Sequence, residues 1–297
     1  MVIRVGAAGW VYRDWDGIVY PARKRKGFEA LEYLQRFTDC VEINSSFYAT
    51  PRAENAVRWA QQTRRPDAVP AFHFSAKLQQ AFTHGPVLAG QELEAASAAF
   101  SKGLEPLRSS GRLAALLAQF PVTFHHTLAG EERLVGIKRS FPGWPMAVEL
   151  RHKSWFTEAA LRFLESAELS LLHIDLPAAR DHPPARFRST GPIGYLRLHG
   201  RNAQQWFKKG AGRDQRYDYL YGPREIEELH ATALELAEEH DEVYIVSNNH
   251  FEGQAVANAI ELRARLVGER VPAPAELMAR YPRLGECAES VGQQELF

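Results

Sequence analysis

Short apolar runs rich in β-branched and aromatic residues recur along the chain. Between most of them, apolar residues return every three or four positions. The runs fall at 3–9, 41–44, 71–77, 113–120, 146–151, 169–175, 194–199 and 242–248. Helical spacing falls at 28–36, 54–63, 91–107, 154–167, 225–239 and 254–266, carried by such sets as Leu31, Leu34 and Phe37 or Val256, Ile260 and Leu262. Eight strands alternating with helices predict βα units and a parallel sheet. The count and the length predict an α/β protein built as one (β/α)8 barrel, a fold of about 250 residues. A doubly wound sheet is the alternative, but the glycine fingerprint of a dinucleotide site is missing. The barrel domain is assigned to 1–269. The connection 176–193 holds four prolines and predicts no helix. The stretch 270–297, with Pro272, Pro274 and Pro282, reads as an irregular tail.

Alternation along each strand then sorts its side chains. If the apolar set faces the helices, the polar set faces the barrel axis. That places Glu42 and Asn44, His73, Ser75 and Lys77, Glu149 and Arg151, His173 and Asp175, and Tyr195, Arg197 and His199 inward. Gln119 ends the fourth strand, and Asn248 and Asn249 end the eighth. Most of these groups fall at carboxyl ends of strands, where barrel enzymes carry their chemistry. Isolated charges are costly to bury, so the cluster is either a structural ion network or a ligand cleft.

Composition narrows the partners. Hydrophobic residues make up 45% and charged residues 24%, an ordinary globular balance. Lys plus Arg and Asp plus Glu each number 36, so no global field recruits nucleic acid, and any such preference needs a local patch. No apolar run reaches the length of a membrane span, and the start does not read as a secretory leader. Two distant cysteines, Cys40 and Cys287, point to a reducing cytoplasm. Glu42, Glu149 and Asp175 balance Lys77, Arg151 and Arg197. A hard divalent cation wants more carboxylate than that, so no metal is favoured. A transition metal on His199, Glu149 and Asp175 is the alternative. The balanced cluster better suits an anionic, hydroxyl-rich substrate gripped by arginine forks.

The motifs GAAGWVYRDWDGIVYP, VEINSSFYATP, FSAKLQQAFTH, LLAQFP, AVELRHKSW, YLRLHG and SNNHFEGQAVANAIEL resemble, in order, those of the YecE-like family, or domain of unknown function 72. The resemblance runs from Gly6 to about Leu266 and implies a (β/α)8 barrel of no established activity. It marks Trp10, Glu42, Asn44, Phe47, Tyr48, Lys77, His84, Gln119, Glu149, Arg151, Trp155, Arg197, His199 and Asn248, and implies no roles for them. Ser46 stands where the family pattern has Thr, and Ser247 where it has an aromatic.

Two further segments carry candidate chemistry. The loop 200–222 interleaves Arg201, Lys208, Lys209, Arg213 and Arg216 with Trp206, Phe207, Tyr217, Tyr219 and Tyr221. That mixture suits phosphate contacts plus stacking, or else aromatics that seal the barrel top. Trp10, Tyr12, Trp15 and Tyr20 crowd the first loop, as core anchors or as a stacking rim. The final residues, QQELF, resemble the peptide by which DNA-processing proteins dock on the bacterial sliding clamp; Gln293, Leu296 and Phe297 would make that contact.

The favoured expectation is an enzyme, of hydrolase or lyase type, acting on nucleic acid or another phosphate-bearing substrate. Glu149 or Glu42 would be the base and His199 the acid. Trp10, Asn44, Lys77, His84, Gln119, Arg151, Asp175, Arg197, Lys208 and Asn248 would bind substrate. A sugar-phosphate enzyme needs the same cluster without the tail. A non-catalytic module binding nucleic acid or protein would use the cluster only as a structural network.

Overall fold

The computed structural model describes residues 1–66 and 70–292. Its strands are β1 (Val2–Ala8), β2 (Cys40–Ile43), β3 (His73–Lys77), β4 (Leu113–Gln119), β5 (Met146–Glu149), β6 (Ser170–Leu171), β7 (His173–Asp175), β8 (Gly194–Leu198) and β9 (Glu242–Ser247). They form one sheet in the order β6-β5-β4-β3-β2-β1-β9-β8-β7, and every pair is parallel. Its two edge strands, β6 and β7, are consecutive pieces of chain separated only by Leu172. The sheet therefore curls until its edges meet at that residue, and all eight expected strand positions are filled. Close pairing sets one local demand. A Cβ on Gly6 would stand 1.8 Å from the Cys40 carbonyl oxygen, so β1 has no room for a side chain there.

Helices Ala30–Leu34, Ala53–Gln62, Gly90–Ser109, Glu158–Ser166, Pro223–Glu239 and Gln254–Val267 cover the outside, as the spacing predicts. A further helix, Leu128–Arg139, was not anticipated; Thr127 caps it by accepting from the Gly130 N–H at 3.1 Å. Val41, Ile43, Phe74, Ala76, Leu116 and Val148 face these helices and pack with Trp59, Phe100, Leu104 and Leu134. Inside the barrel, Ala115, Leu117, Ala147, Leu172 and Val246 fill the waist. Below them Glu242 takes Arg4 and Tyr244, both at 3.0 Å, and Tyr244 meets His73 at 2.8 Å. The interior is thus polar at both ends and aliphatic between.

Two expectations are corrected. The sixth strand has the opposite phase to the one expected: Leu169 and Leu171 pack against the helices and Leu172 turns into the barrel, so His173 and Asp175, in step with the outer leucines, face outward. His173 stacks on Phe187 at 4.1 Å, within the helix-free connection, which reads as expected. The tail is not irregular as far as residue 292. Strands β10 (Val271–Pro274) and β11 (Ala288–Val291) pair in parallel around the helix Ala275–Arg280. Val271, Ala273, Leu277, Leu284 and Ala288 bury against Tyr20, Tyr33 and Val256. Gln293, Leu296 and Phe297 lie outside the described residues.

Among the described residues, no helix is long and apolar enough to cross a membrane.

Candidate functional site

The strands point their carboxyl ends at a cavity of about 300 Å³. Gly9, Trp10 and Tyr12 reach it from the loop after β1, and Asn44, Ser45 and Tyr48 from the turn after β2. Lys77 ends β3, Gln119 ends β4, Arg151 follows β5, and Arg197 lies within β8. Arg213 and Tyr217 come down from the loop after β8, and Asn248 and His250 follow β9.

The floor is one ion network. Arg197, 2% exposed, forks onto Glu42 through Nε at 3.0 Å and Nη2 at 2.7 Å. Its Nη1 donates to Glu149 Oε2 at 2.6 Å and to Gln119 Oε1 at 3.3 Å. Arg151 completes Glu149, with Nε at 2.7 Å and Nη2 at 2.6 Å from Oε1. The Tyr195 hydroxyl supports Glu42 from below at 3.2 Å and is itself held by Ser75 at 2.8 Å. Both carboxylates are fully buried, so only such pairing makes their charge tolerable. Burial alone would raise the Glu149 carboxyl. Arg151, Arg197 and His199 outweigh it and hold the group well below the usual range.

His199 is fully buried at the end of this network, capped by Trp206 and Tyr217 at 5.8 and 6.0 Å. The Asn248 side-chain amide lies 3.1 Å from Nδ1, while Nε2 stands 3.4 Å from Arg197 Nη1 and 3.5 Å from Glu149 Oε2. Burial lowers the ring to about 3 despite Glu149, so it is neutral at physiological pH.

Glu42, Arg197, Glu149 and His199 therefore meet, as the alternation predicts, but only Arg197 of the four lines the cavity. Trp10, Asn44, Lys77, Gln119, Arg151 and Asn248 line it as well. Asp175 does not: it turns outward to Arg201 at 2.7 Å and accepts from the Tyr221 hydroxyl at 2.7 Å. That separates it from His199 and Glu149, so the trio considered for a transition metal is not assembled. His84 is exposed and bonded to Thr83 at 2.8 Å, off the cavity, and Lys208 is exposed on its loop. Among the described residues no three His, Cys, Asp or Glu side chains are grouped to hold a metal ion.

Sequence reading left several lining residues off the site. Arg213 and Tyr217 belong to the basic aromatic loop, and parity says nothing about a loop. His250 follows the asparagines that end β9. It is 4% exposed, lies between Tyr12 at 4.6 Å and Tyr217 at 5.4 Å, and neither ring nitrogen has a partner among the described residues. Burial lowers it to about 4. Trp15 and Tyr20 anchor the core, so the first loop is part anchor and part cavity wall.

Known proteins share this arrangement of strands and sequence. The family model described as "Protein of unknown function DUF72" matches residues 4–280. The UPF0759 protein YunF of Bacillus subtilis (strain 168) is 30% identical over 273 residues, covering 88% of this chain and 93% of YunF. The UPF0759 protein YecE of Escherichia coli (strain K12) is 27% identical over 161 residues, 53% of this chain and 51% of YecE. A crystal structure of a DUF72 family protein from Thermotoga maritima MSB8 superposes with a TM-score of 0.76 at 31% identity, covering 90% of this chain and 100% of that one. Another, from Enterococcus faecalis V583, gives 0.76 at 28% identity, covering 90% and 96%. With the family model matching nearly the whole barrel, this chain belongs to the DUF72 family, whose members' function is unknown.

Proposed function

We propose that the chain is an enzyme acting on a phosphate-bearing substrate, nucleic acid or a smaller phosphoester, at the carboxyl mouth of its barrel. One observation carries this reading. The charged residues lining the cavity are Lys77, Arg151, Arg197 and Arg213, and no carboxylate lines it among the described residues. Glu42 and Glu149 lie beneath, already engaged, so the only charged groups an entering anion meets are cations. Trp10, Tyr48 and Tyr217 offer flat faces for a ring or base. His250 adds two unpaired ring nitrogens on the same wall.

The volume suits a single sugar-phosphate or nucleotide unit, which in nucleic acid would have to be unstacked to enter. The two buried carboxylates act first as holders of arginine. A phosphate that draws Arg151 away frees Glu149 Oε1 and lets its carboxyl rise toward the ordinary range. Glu149 then becomes the base for hydrolysis or elimination. His199, neutral, supplies a packed polar neighbour to Glu149 rather than an imidazolium proton.

Calorimetric titration with inorganic phosphate and a nucleoside monophosphate, at low and high salt, tests the reading. Binding that weakens with salt is expected. Turnover of a phosphoester panel should then be lost in Glu149→Gln while binding persists. No binding of either anion at low salt overturns the reading. On the nucleic-acid branch, residues 293–297 dock on the sliding clamp, and deleting them should abolish co-purification of the clamp.

A further inference from the structure

Lys77 ends β3 and faces the cavity, half-buried. The other three lining cations have carboxylates: Arg197 has Glu42 and Glu149, Arg151 has Glu149, and Arg213 has Asp214 at 3.2 Å. Lys77 pairs with no carboxylate among the described residues. Its amine stands instead over the Phe47 ring, 4.3 Å from the centroid, and His84 meets that ring edge-on at 5.1 Å. The ring face favours the ammonium, but with three arginines lining the same cavity and no carboxylate partner it has less reason to keep its proton than one in water.

We infer that Lys77 is a nucleophilic amine, forming an imine with the carbonyl carbon of a phosphate-bearing aldehyde or ketone whose phosphate is held by Arg151 and Arg213. This rests on the anion reading above and names its substrate class. The neutral Nζ adds its lone pair to the carbonyl carbon, and the carbonyl π pair moves to oxygen, which takes a proton. The carbinolamine then loses its hydroxyl as water while nitrogen's electrons close the C=N bond. Counted from the ammonium form, oxygen is exchanged for nitrogen, one water leaves, and the single positive charge stays on the iminium. That charge is an electron sink for breaking a neighbouring bond, which makes lyase chemistry the form this site favours.

Burial lowers the Lys77 amine to about 8, with Arg197 and Arg151 adding to the effect against Glu42 and Glu149. About a tenth is then neutral at pH 7. His84, on the same ring, is also lowered, by burial and by Lys77.

Pyridoxal 5′-phosphate is an aldehyde and a phosphate in one probe. It is added to the protein, reduced with borohydride, and located by peptide mass spectrometry. Lys77 should label at least about tenfold faster than exposed Lys208 and Lys209, because about a tenth of its amine is neutral at pH 7, far more than in an ordinary lysine. Its rate should climb as pH rises through about 8. Inorganic phosphate should slow it. Lys77→Arg should lose this label, because a guanidinium keeps the charge but offers no amine to the aldehyde. Labelling at Lys77 no faster than at Lys208 overturns the inference. Phosphate binding without a pyridoxyl group on Lys77 overturns the amine's role and leaves the anion reading standing. A Lys77 label that phosphate does not displace supports the amine and removes the anion reading.

Discussion

Two ion clusters flank the end of the barrel, and they share a bond geometry but not an environment. On the axis, Arg197 joins Glu42 and Glu149 at 2.7 and 2.6 Å, with side chains 0–2% exposed. Outside, Arg201 joins Asp175, Glu225 and Glu228 at 2.7, 3.4 and 2.9 Å, with Arg201 32% and Glu228 62% exposed. Water screens the outer set, so three acids tolerate one arginine there. The axial set has no such relief. Every carboxylate is tied, and what remains toward the cavity is cationic. Charge left over after forced pairing says more about function than the pairs do.

The sharpest way to break that contrast is to remove each arginine. Arg197→Met should lower unfolding free energy in urea by about 3–5 kcal/mol, because it takes the ion pair from buried Glu42 and leaves buried Glu149 with Arg151 alone. Arg201→Met should cost about 1 kcal/mol or less, its partners being hydrated. Equal losses would erase the distinction.

Acid should separate the clusters next. His199 has a folded pKa lowered to about 3, against an ordinary value near 6.5. Its contribution is fully present above the ordinary value. It is lost as pH falls from there toward about 3, because only the unfolded chain binds the proton. By pH 5 the loss should reach about 2 kcal/mol, measured as the pH dependence of urea midpoints, and His199→Gln should flatten the curve by that amount. The same profile in His199→Gln and the parent would contradict the neutral, buried imidazole.

Anion affinity should separate them too. Arg151→Met should weaken phosphate binding about tenfold, while Arg201→Met should leave it unchanged, by calorimetry. The smallest effect concerns the rim. Tyr48, 69% exposed at the cavity, should stack on a base rather than touch phosphate. Tyr48→Ala should cost about 1 kcal/mol toward a nucleoside monophosphate and nothing toward inorganic phosphate.

The axial cluster was legible because β2, β3, β5 and β8 keep strict alternation, which commits Glu42, Lys77, Glu149 and Arg197 to one face. Asp175 was misplaced because leucines stand on both faces of 169–172, so alternation alone does not say which face turns inward. No helix follows β7, so nothing demands an apolar outer face where His173 and Asp175 stand. Pro272 and Pro274 concealed β10 for a different reason. A strand paired on one side leaves outer positions that need no N–H donor, so proline is tolerated. Arg213 and His250 reach the cavity from connections, where no period marks a facing direction.

The central claim is that the paired floor leaves a cationic cavity that takes phosphate. A crystal structure with a nucleoside monophosphate tests it most directly. The account expects the phosphate within hydrogen-bonding distance of Arg151 and Arg213, with the base against the Trp10 or Tyr48 ring. A nucleotide found only on the outer surface, beside Arg201 or Lys208, with the cavity holding solvent alone, would contradict it.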